Sequence, residues 1–276
     1  MTGEAGADLP SGLPRPFPPA ATDGAEADAF AAAAARAGLD PADRWVGGYA
    51  AYEWDHLRPL LGAYRLDVGG AEVLEFGCNV GGSSVVLAAL GARLSAIDVD
   101  PALTAVAAAN LARHGLARHG TVRHVADTRA IPFADARFDL ILANSVLEYV
   151  APAHLPAVLG ELHRLLKPGG HLLICGTASR LSPREGHSGR WLVNYWPRGF
   201  DRLAGRPLQR GLSPLRLARL TRGRFEDATG GGWAAARRAI HGRGRPAARL
   251  LSVLARTTGR SPGWIAPYIE VLLRRR

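Results

Sequence analysis

Apolar positions along the chain change their spacing near residue 70. Before it, Trp45, Tyr49, Tyr52, His56 and Leu60 recur at helical intervals. A helix opening at Asp40-Pro41, with the acid as cap and the proline in the first turn, is predicted to carry them on one face. An alanine-rich helix is predicted over residues 28–37, closed by Gly38. Residues 1–27 hold Pro, Gly, Ala and small polar side chains without apolar periodicity, so a disordered leader is expected there. After Gly69-Gly70 short apolar runs alternate with amphipathic stretches. Strands are predicted at 72–76, 93–97, 121–125, 138–143 and 171–175, with helices at 81–90, 101–114 and 152–166. The last of these helices is closed by Lys167-Pro168-Gly169-Gly170. Such alternation points to an α/β fold with a parallel sheet covered on both faces.

Beyond Gly176 the rhythm breaks. Residues 177–212 carry Trp191, Tyr195, Trp196 and Phe200 among Arg, Pro and Gly, as expected of a long, partly helical excursion. Ser213-Pro214 caps a helix to about Thr221, residues 224–228 form a sixth strand, and residues 264–273 end the chain with strand-like content. Gly230-Gly231-Gly232 opens a second excursion with an amphipathic helix near 247–256.

Composition narrows the classes. Apolar residues make up 47% and charged residues 21%, ordinary globular usage, so coiled coils, solenoids and wholly disordered chains fit poorly. The longest apolar runs fall short of the ~20 residues a membrane span needs, and no basic region followed by an apolar core opens the chain. Cys78 and Cys175 are the only cysteines, too few for a disulfide framework or a thiolate zinc cluster. A cytoplasmic protein is expected. The net charge of +10 is unevenly spread: from Arg180 onward there are 21 basic and 5 acidic residues, whereas the preceding part has a balance of −6. This asymmetry is read first as a solvated arginine-rich surface, and second as a face for an anionic partner or peripheral membrane contact.

The most informative stretch runs from Val73 to Ser84, where a buried strand enters a glycine-bearing turn and then a helix. Doubly wound sheets bind nucleotide-like ligands at this point. Gly77 permits the tight turn, and Gly81-Gly82 lets backbone approach ligand and helix. Asp98 lies about 20 residues further on, where an acid can take ribose hydroxyls. The dinucleotide fingerprint fails, because its middle glycine is Asn79. Glu75 would also oppose a phosphate approaching the helix N-terminus. A ligand with a ribose, a cation and no phosphate meets both conditions, as S-adenosylmethionine does.

Glu-x-Gly-x-Asn-x-Gly after the first strand, Ala96-Ile97-Asp98 after the second, Ala126-Asp127 after the third and Leu166-Lys167-Pro168-Gly169-Gly170 before the fifth resemble class I S-adenosylmethionine-dependent methyltransferases. The branch with quinone-ring and natural-product enzymes is the most similar, through Ile131-Pro132-Phe133, Arg137 to Ile141 and Asn144 to Tyr149. The resemblance covers residues 72–176. It implies a Rossmann-like, doubly wound, mostly parallel seven-stranded sheet with a final antiparallel strand, N-terminal helices and C-terminal insertions. The methyltransferase domain would span 28–276, with its cofactor-binding core at 70–176 and insertions at 177–212 and 230–263. Glu75, Gly77, Asn79 and Gly81 would shape the methionine pocket, and Asp98 would hold the ribose. Asp127 would take the adenine amino group, Thr128 would flank the ring, and Asn144 would lie near the methionine moiety.

The expected acceptor is a small, partly apolar molecule methylated on oxygen, carbon or nitrogen. Alternatives are an RNA-directed methyltransferase and a non-catalytic S-adenosylmethionine-binding accessory protein. Against RNA stands Asn144-Ser145-Val146-Leu147, which lacks the proline pair and aromatic used on base amines. His56, His154 and His187 are candidate bases, none singled out. The series His114, His119 and His124 falls on a helix end, a loop and a strand and is not expected to converge on a metal. The aromatics of 177–212 either wall the acceptor pocket or pack internally. The Trp45–His56 stripe either packs on the sheet or closes over the cofactor.

Overall fold

The computed structural model describes residues 16–276 except 187, 198, 204, 206–207, 243–250, 252, 256 and 258. The central strands are short runs of branched or long apolar side chains, and the segments between them form helices, one of them buried at every residue. Strand β1 (Glu72–Phe76), helix α3 (Gly82–Ala89), β2 (Arg93–Asp98), α4 (Pro101–Arg113), β3 (Gly120–His124), β4 (Phe138–Asn144), α5 (Leu155–Leu165) and β5 (Leu166–Ala178) follow in order. Then come α6 (Phe200–Leu203), α7 (Pro214–Thr221), β6 (Phe225–Asp227), α8 (Gly232–His241) and β7 (Tyr268–Arg275). The seven-stranded sheet has the order β3-β2-β1-β4-β5-β7-β6. Strands β1 to β5 are mutually parallel, and β7 is antiparallel to both of its neighbours, β5 and β6. The expected fold class is therefore correct.

Two helices precede the sheet, α1 (Gly24–Arg36) and α2 (Tyr49–Ala63). Helix α1 begins four residues before the sequence reading placed it, inside the stretch expected to be disordered. Phe17 also packs on Trp54 and His114, and the Ala21 N–H donates to the Arg113 carbonyl. The leader expectation is thus corrected for residues 16–27; residues 1–15 lie outside the described residues. Helix α2 starts at Tyr49 rather than Asp40, because residues 40–48 form successive turns that Asp40 and Asp43 cap with their carboxylates. The amphipathic helix expected at 247–256 falls largely outside the described residues.

Local chemistry sets the helix ends. Asp100 Oδ1 accepts from the Ala102 and Leu103 N–H groups, and Pro101 occupies the first turn of α4. Ser213 Oγ accepts from the Arg216 N–H at the start of α7.

The core has two layers, one on each face of the sheet. On one, Leu57, Leu61, Val86, Leu87 and Leu111 pack over Val73, Leu142, Leu173 and Leu272. On the other, Leu159, Leu162 and Leu217 cover Leu74, Ile141, Ile174 and Val271. Each fully buried leucine or phenylalanine contributes roughly 1.5–3 kcal/mol. This apolar platform fixes the carboxyl edge of the sheet, where the polar residues collect. Among the described residues no helix is long and apolar enough to cross a membrane.

Candidate functional site

A cavity of about 1400 Å³ opens along the carboxyl edge of the sheet. Its floor is laid by alternation: Glu75 on β1, Asn144 on β4, Cys175 on β5 and Glu270 on β7 share the parity of the residues beneath α2 and α3. All four line the cavity, as do Tyr49, Tyr52 and His56 of α2 and Arg237 of α8.

Gly77 and Gly81 carry φ values of +82° and +81°, which only glycine adopts without strain. A Cβ on Gly77 would overlap Val146, and one on Gly81 would lie 2.9 Å from the Ala107 Cα. Asn79 stands at φ +49°, a region asparagine tolerates better than other residues. Its backbone N–H, rather than its side chain, donates to Asp98 Oδ2 at 2.8 Å. The second Asp98 oxygen accepts from the Asp100 N–H at 3.1 Å, so this carboxylate is anchored and partly open to the cavity.

Two carboxyls lie at the deep end. Glu75 is 2% exposed and accepts from Ser84 Oγ. Burial, helped by the charges of Glu53 and Asp98, lifts its pKa to about 8 against the hydrogen bonds from Ser84 and Ser83. Glu53, buried on α2, accepts from the Tyr49 hydroxyl and from Asn144 Nδ2 at 3.2 Å. Burial raises its pKa as well. Asn144 also donates to Ser83 Oγ at 3.0 Å, tying β4 to the start of α3. Two buried acids thus face one space.

Asp127 and Thr128 lie at the other rim. Asp127 is exposed and held by Arg129, whose Nε and Nη2 donate at 2.8 Å each. That pairing lowers its pKa to about 2.

The wall toward β7 is chemically different. Trp45, Tyr49, Tyr52 and His56 form an aromatic row, with the Tyr52 and His56 rings stacked at 3.9 Å. The row lines the cavity, and Tyr49 also packs against Gly82 of α3. His56 Nδ1 lies 2.7 Å from the Tyr52 carbonyl, which can only accept, so the neutral ring carries its proton on Nδ1 and leaves Nε2 as the basic nitrogen. Glu270 is buried, accepts from the Tyr64 hydroxyl at 3.1 Å and is paired with Arg237. Burial raises its pKa to about 7, against the pull of Arg237 and Tyr64.

Of the residues implied for the cofactor, Glu75, Gly77, Asn79, Asp98, Asp127, Thr128 and Asn144 line this cavity, and Gly81, at the start of α3, does not. His154 lines it too, while His187 lies outside the described residues. Tyr149 lines the mouth, and Glu148 caps Ala178 through its N–H at 3.0 Å. Of the two expectations for Trp191, Tyr195, Trp196 and Phe200, the acceptor wall is not found, since none lines the cavity; Trp196 and Phe200 pack on each other at 5.7 Å, and all four are exposed. Glu53, Ser83, Arg237 and Glu270 were not singled out from the sequence. A trace of Glu53 was there, since Tyr49 and Glu53 are four apart on a helix otherwise apolar on that face.

Residues 74–174 match the methyltransferase domain family. The ubiquinone biosynthesis O-methyltransferase of Xanthomonas oryzae pv. oryzae is 36% identical over 110 residues, covering 40% of this chain and 44% of that protein. The sterol 4-C-methyltransferase strm-1 of Caenorhabditis elegans is 31% identical over 101 residues, covering 37% of this chain and 29% of that protein. The chain therefore spans less than half the length of either relative. An S-adenosylmethionine-dependent methyltransferase from Mesorhizobium loti, at 22% identity, shares the fold with a TM-score of 0.51 over 79% of this chain and 97% of that one.

Proposed function

We propose that this chain, whose core is a class I S-adenosylmethionine-dependent methyltransferase domain, transfers a methyl group to a small, partly apolar acceptor. The observation that carries this reading is the pair of buried, mutually repelling carboxyls Glu53 and Glu75 at one end of a large cavity. Two acids in one dry pocket complement a ligand cation, and a phosphate would be repelled there. The donor set fits S-adenosylmethionine. Glu75, Glu53 and Asn144 would hold the methionine end, Asp98 the ribose hydroxyls, and Asp127 and Thr128 the adenine once Arg129 shares its grip on Asp127.

When bound, the cofactor supplies a methyl group already activated by its sulfonium. The protein's share is alignment, which contributes roughly 7–11 kcal/mol when donor and acceptor atoms are held in line. Tyr52, Tyr268 and Ile240 offer apolar walls for the acceptor, and Arg237 and His241 offer polar contacts. For a hydroxyl acceptor, His56 Nε2 would take the hydroxyl proton, and the Tyr52 carbonyl would stabilise the resulting imidazolium through Nδ1.

The test is incubation with methyl-labelled cofactor and a panel of phenols, carboxylic acids and apolar alcohols, read by mass spectrometry. A product heavier by one labelled methyl group is expected. Tight cofactor binding without transfer to any acceptor would favour a non-catalytic accessory protein instead.

A further inference from the structure

The described residues of 177–212 fold around buried polar side chains. Asn194 donates from Nδ2 to the Ser182 carbonyl at 2.8 Å and accepts from the Gly211 N–H at 2.9 Å. Arg180 Nε donates to the Asn194 carbonyl at 2.7 Å. Arg210, 7% exposed, donates to the Trp196 carbonyl and forms a two-pronged pair with Asp201. Val193, Leu208 and Leu212 are buried beside these hydrogen bonds, yet most of the unit's large apolar side chains are exposed. Trp191 is 66% exposed and Leu203 83%, and Leu192, Tyr195, Trp196 and Phe200 are exposed as well. Isolated exposed apolar residues need no explanation, but seven on one hydrogen-bonded unit of this size, Leu181 included, do.

The charges on the unit choose the occupant. Its only two acids are withdrawn, Glu185 by burial and Asp201 by its pairing with Arg210. Arg184, Arg190 and Arg202 are exposed beside the aromatics. Tryptophan and tyrosine favour the boundary between headgroups and acyl chains, and arginine adds attraction to anionic lipid. The unit also borders the cavity mouth: Gly186 lines the main cavity, and the Tyr268 hydroxyl donates to the Gly186 carbonyl at 3.3 Å. A smaller recess of about 510 Å³ lies between residues 182–189 and Pro267-Tyr268.

We propose that the face formed by Trp191, Leu192, Tyr195, Trp196, Phe200 and Leu203, with Arg184, Arg190 and Arg202, docks on an anionic bilayer and sets the cavity mouth against it. An apolar acceptor could then enter from the lipid phase without crossing water. This goes beyond the transfer reaction and is read without cofactor or acceptor, so its failure leaves the transfer reading standing.

The experiment is co-sedimentation of the full chain with phosphatidylglycerol-rich vesicles and with phosphatidylcholine vesicles. The wild type is expected to bind the anionic vesicles at least about tenfold better. Trp191→Ser/Trp196→Ser/Phe200→Ser should abolish binding at every salt concentration. Arg184→Gln/Arg190→Gln/Arg202→Gln should remove only the preference for anionic lipid. Should a variant fail to fold, quenching of wild-type tryptophan emission by spin-labelled lipid reports the same contact. Absence of both sedimentation and quenching overturns the proposal. So does binding that the aromatic triple variant retains in full, or a wild-type dimer that this variant turns into a monomer, since a second copy would then be the occupant.

Discussion

Glu75 and Glu270 are both buried carboxyls on the same face of the sheet, one on β1 and one on β7, and their surroundings differ in kind. Glu270 is answered from within the protein, by the Arg237 guanidinium and the Tyr64 hydroxyl. Among the described residues Glu75 is answered by the Ser84 and Ser83 hydroxyls, and the charges that act on it are two more acids, Glu53 and Asp98. A buried carboxyl with an internal cation is compensated whether or not a ligand is present. One without is strained until a cation arrives or a proton stays on. The comparison teaches that the carboxyl at the β1 end is left unanswered by a cation, as the proposed binding of a charged guest requires, and that the one at the β7 end is answered from within.

Variants at the two ends should therefore fail differently. The largest effect is expected from His56→Gln, which should lower turnover of a hydroxyl acceptor by about 10²–10⁴-fold while leaving cofactor affinity nearly unchanged. Single-turnover kinetics alongside calorimetry separates the two, and equal losses in both would erase the distinction between the ends. Next, Glu75→Gln should weaken adenosylmethionine binding by about 2–5 kcal/mol, the cost of removing one partner of a buried charge pair. The same change should leave the thermal midpoint of the free protein level or higher at pH 8, because it removes a carboxyl that burial disfavours. A drop in both would make Glu75 a structural residue.

The pH dependence follows from the same group. With its folded pKa raised to about 8 from an ordinary 4.5, Glu75 holds a proton in the free protein through that window. Its contribution to stability is complete below about pH 4.5 and is lost as the pH rises toward 8. Cofactor affinity runs the opposite way, strengthening up to about tenfold per unit as pH approaches 8, with a proton released on binding. Titrations in buffers of different ionisation enthalpy would count that proton. A smaller loss, about 1.5–3 kcal/mol of affinity, is expected for Asp98→Ala, which removes hydrogen bonds to a charged acceptor. The smallest belongs to Asn79→Gly: only the backbone N–H is used there and glycine accepts φ +49°, so stability should change by about 1 kcal/mol or less in a denaturant titration.

The β1 end was legible in the sequence and the β7 end was not, for a physical reason. Glu75, Gly77, Asn79 and Asp98 lie in a loop and at a strand end, where local backbone geometry dictates residue type over a short span. The β7 end is assembled from parts distant in the chain. Tyr64 and Glu270 meet across 206 positions, and Arg237 arrives from a helix that the sequence concealed. Gly230-Gly231-Gly232 reads as a breaker, yet α8 begins at Gly232, where glycine is needed because a Cβ would strike the Tyr64 ring. Glu53 was hidden in an aromatic stripe that reads as plain packing. The insertion 177–212 was seen as aromatic and basic, but which side its rings take is decided by Asn194 and Arg210, whose long-range hydrogen bonds leave no periodic mark.

The most direct measurement is calorimetry of the wild type with adenosylmethionine and with NAD at pH 8, repeated on Glu75→Gln. Adenosylmethionine should bind the wild type with proton release and bind the variant at least roughly 30-fold more weakly, and NAD should give no binding heat. NAD binding in preference, or adenosylmethionine affinity that ignores the loss of the Glu75 charge, would contradict a pocket built to receive a cation.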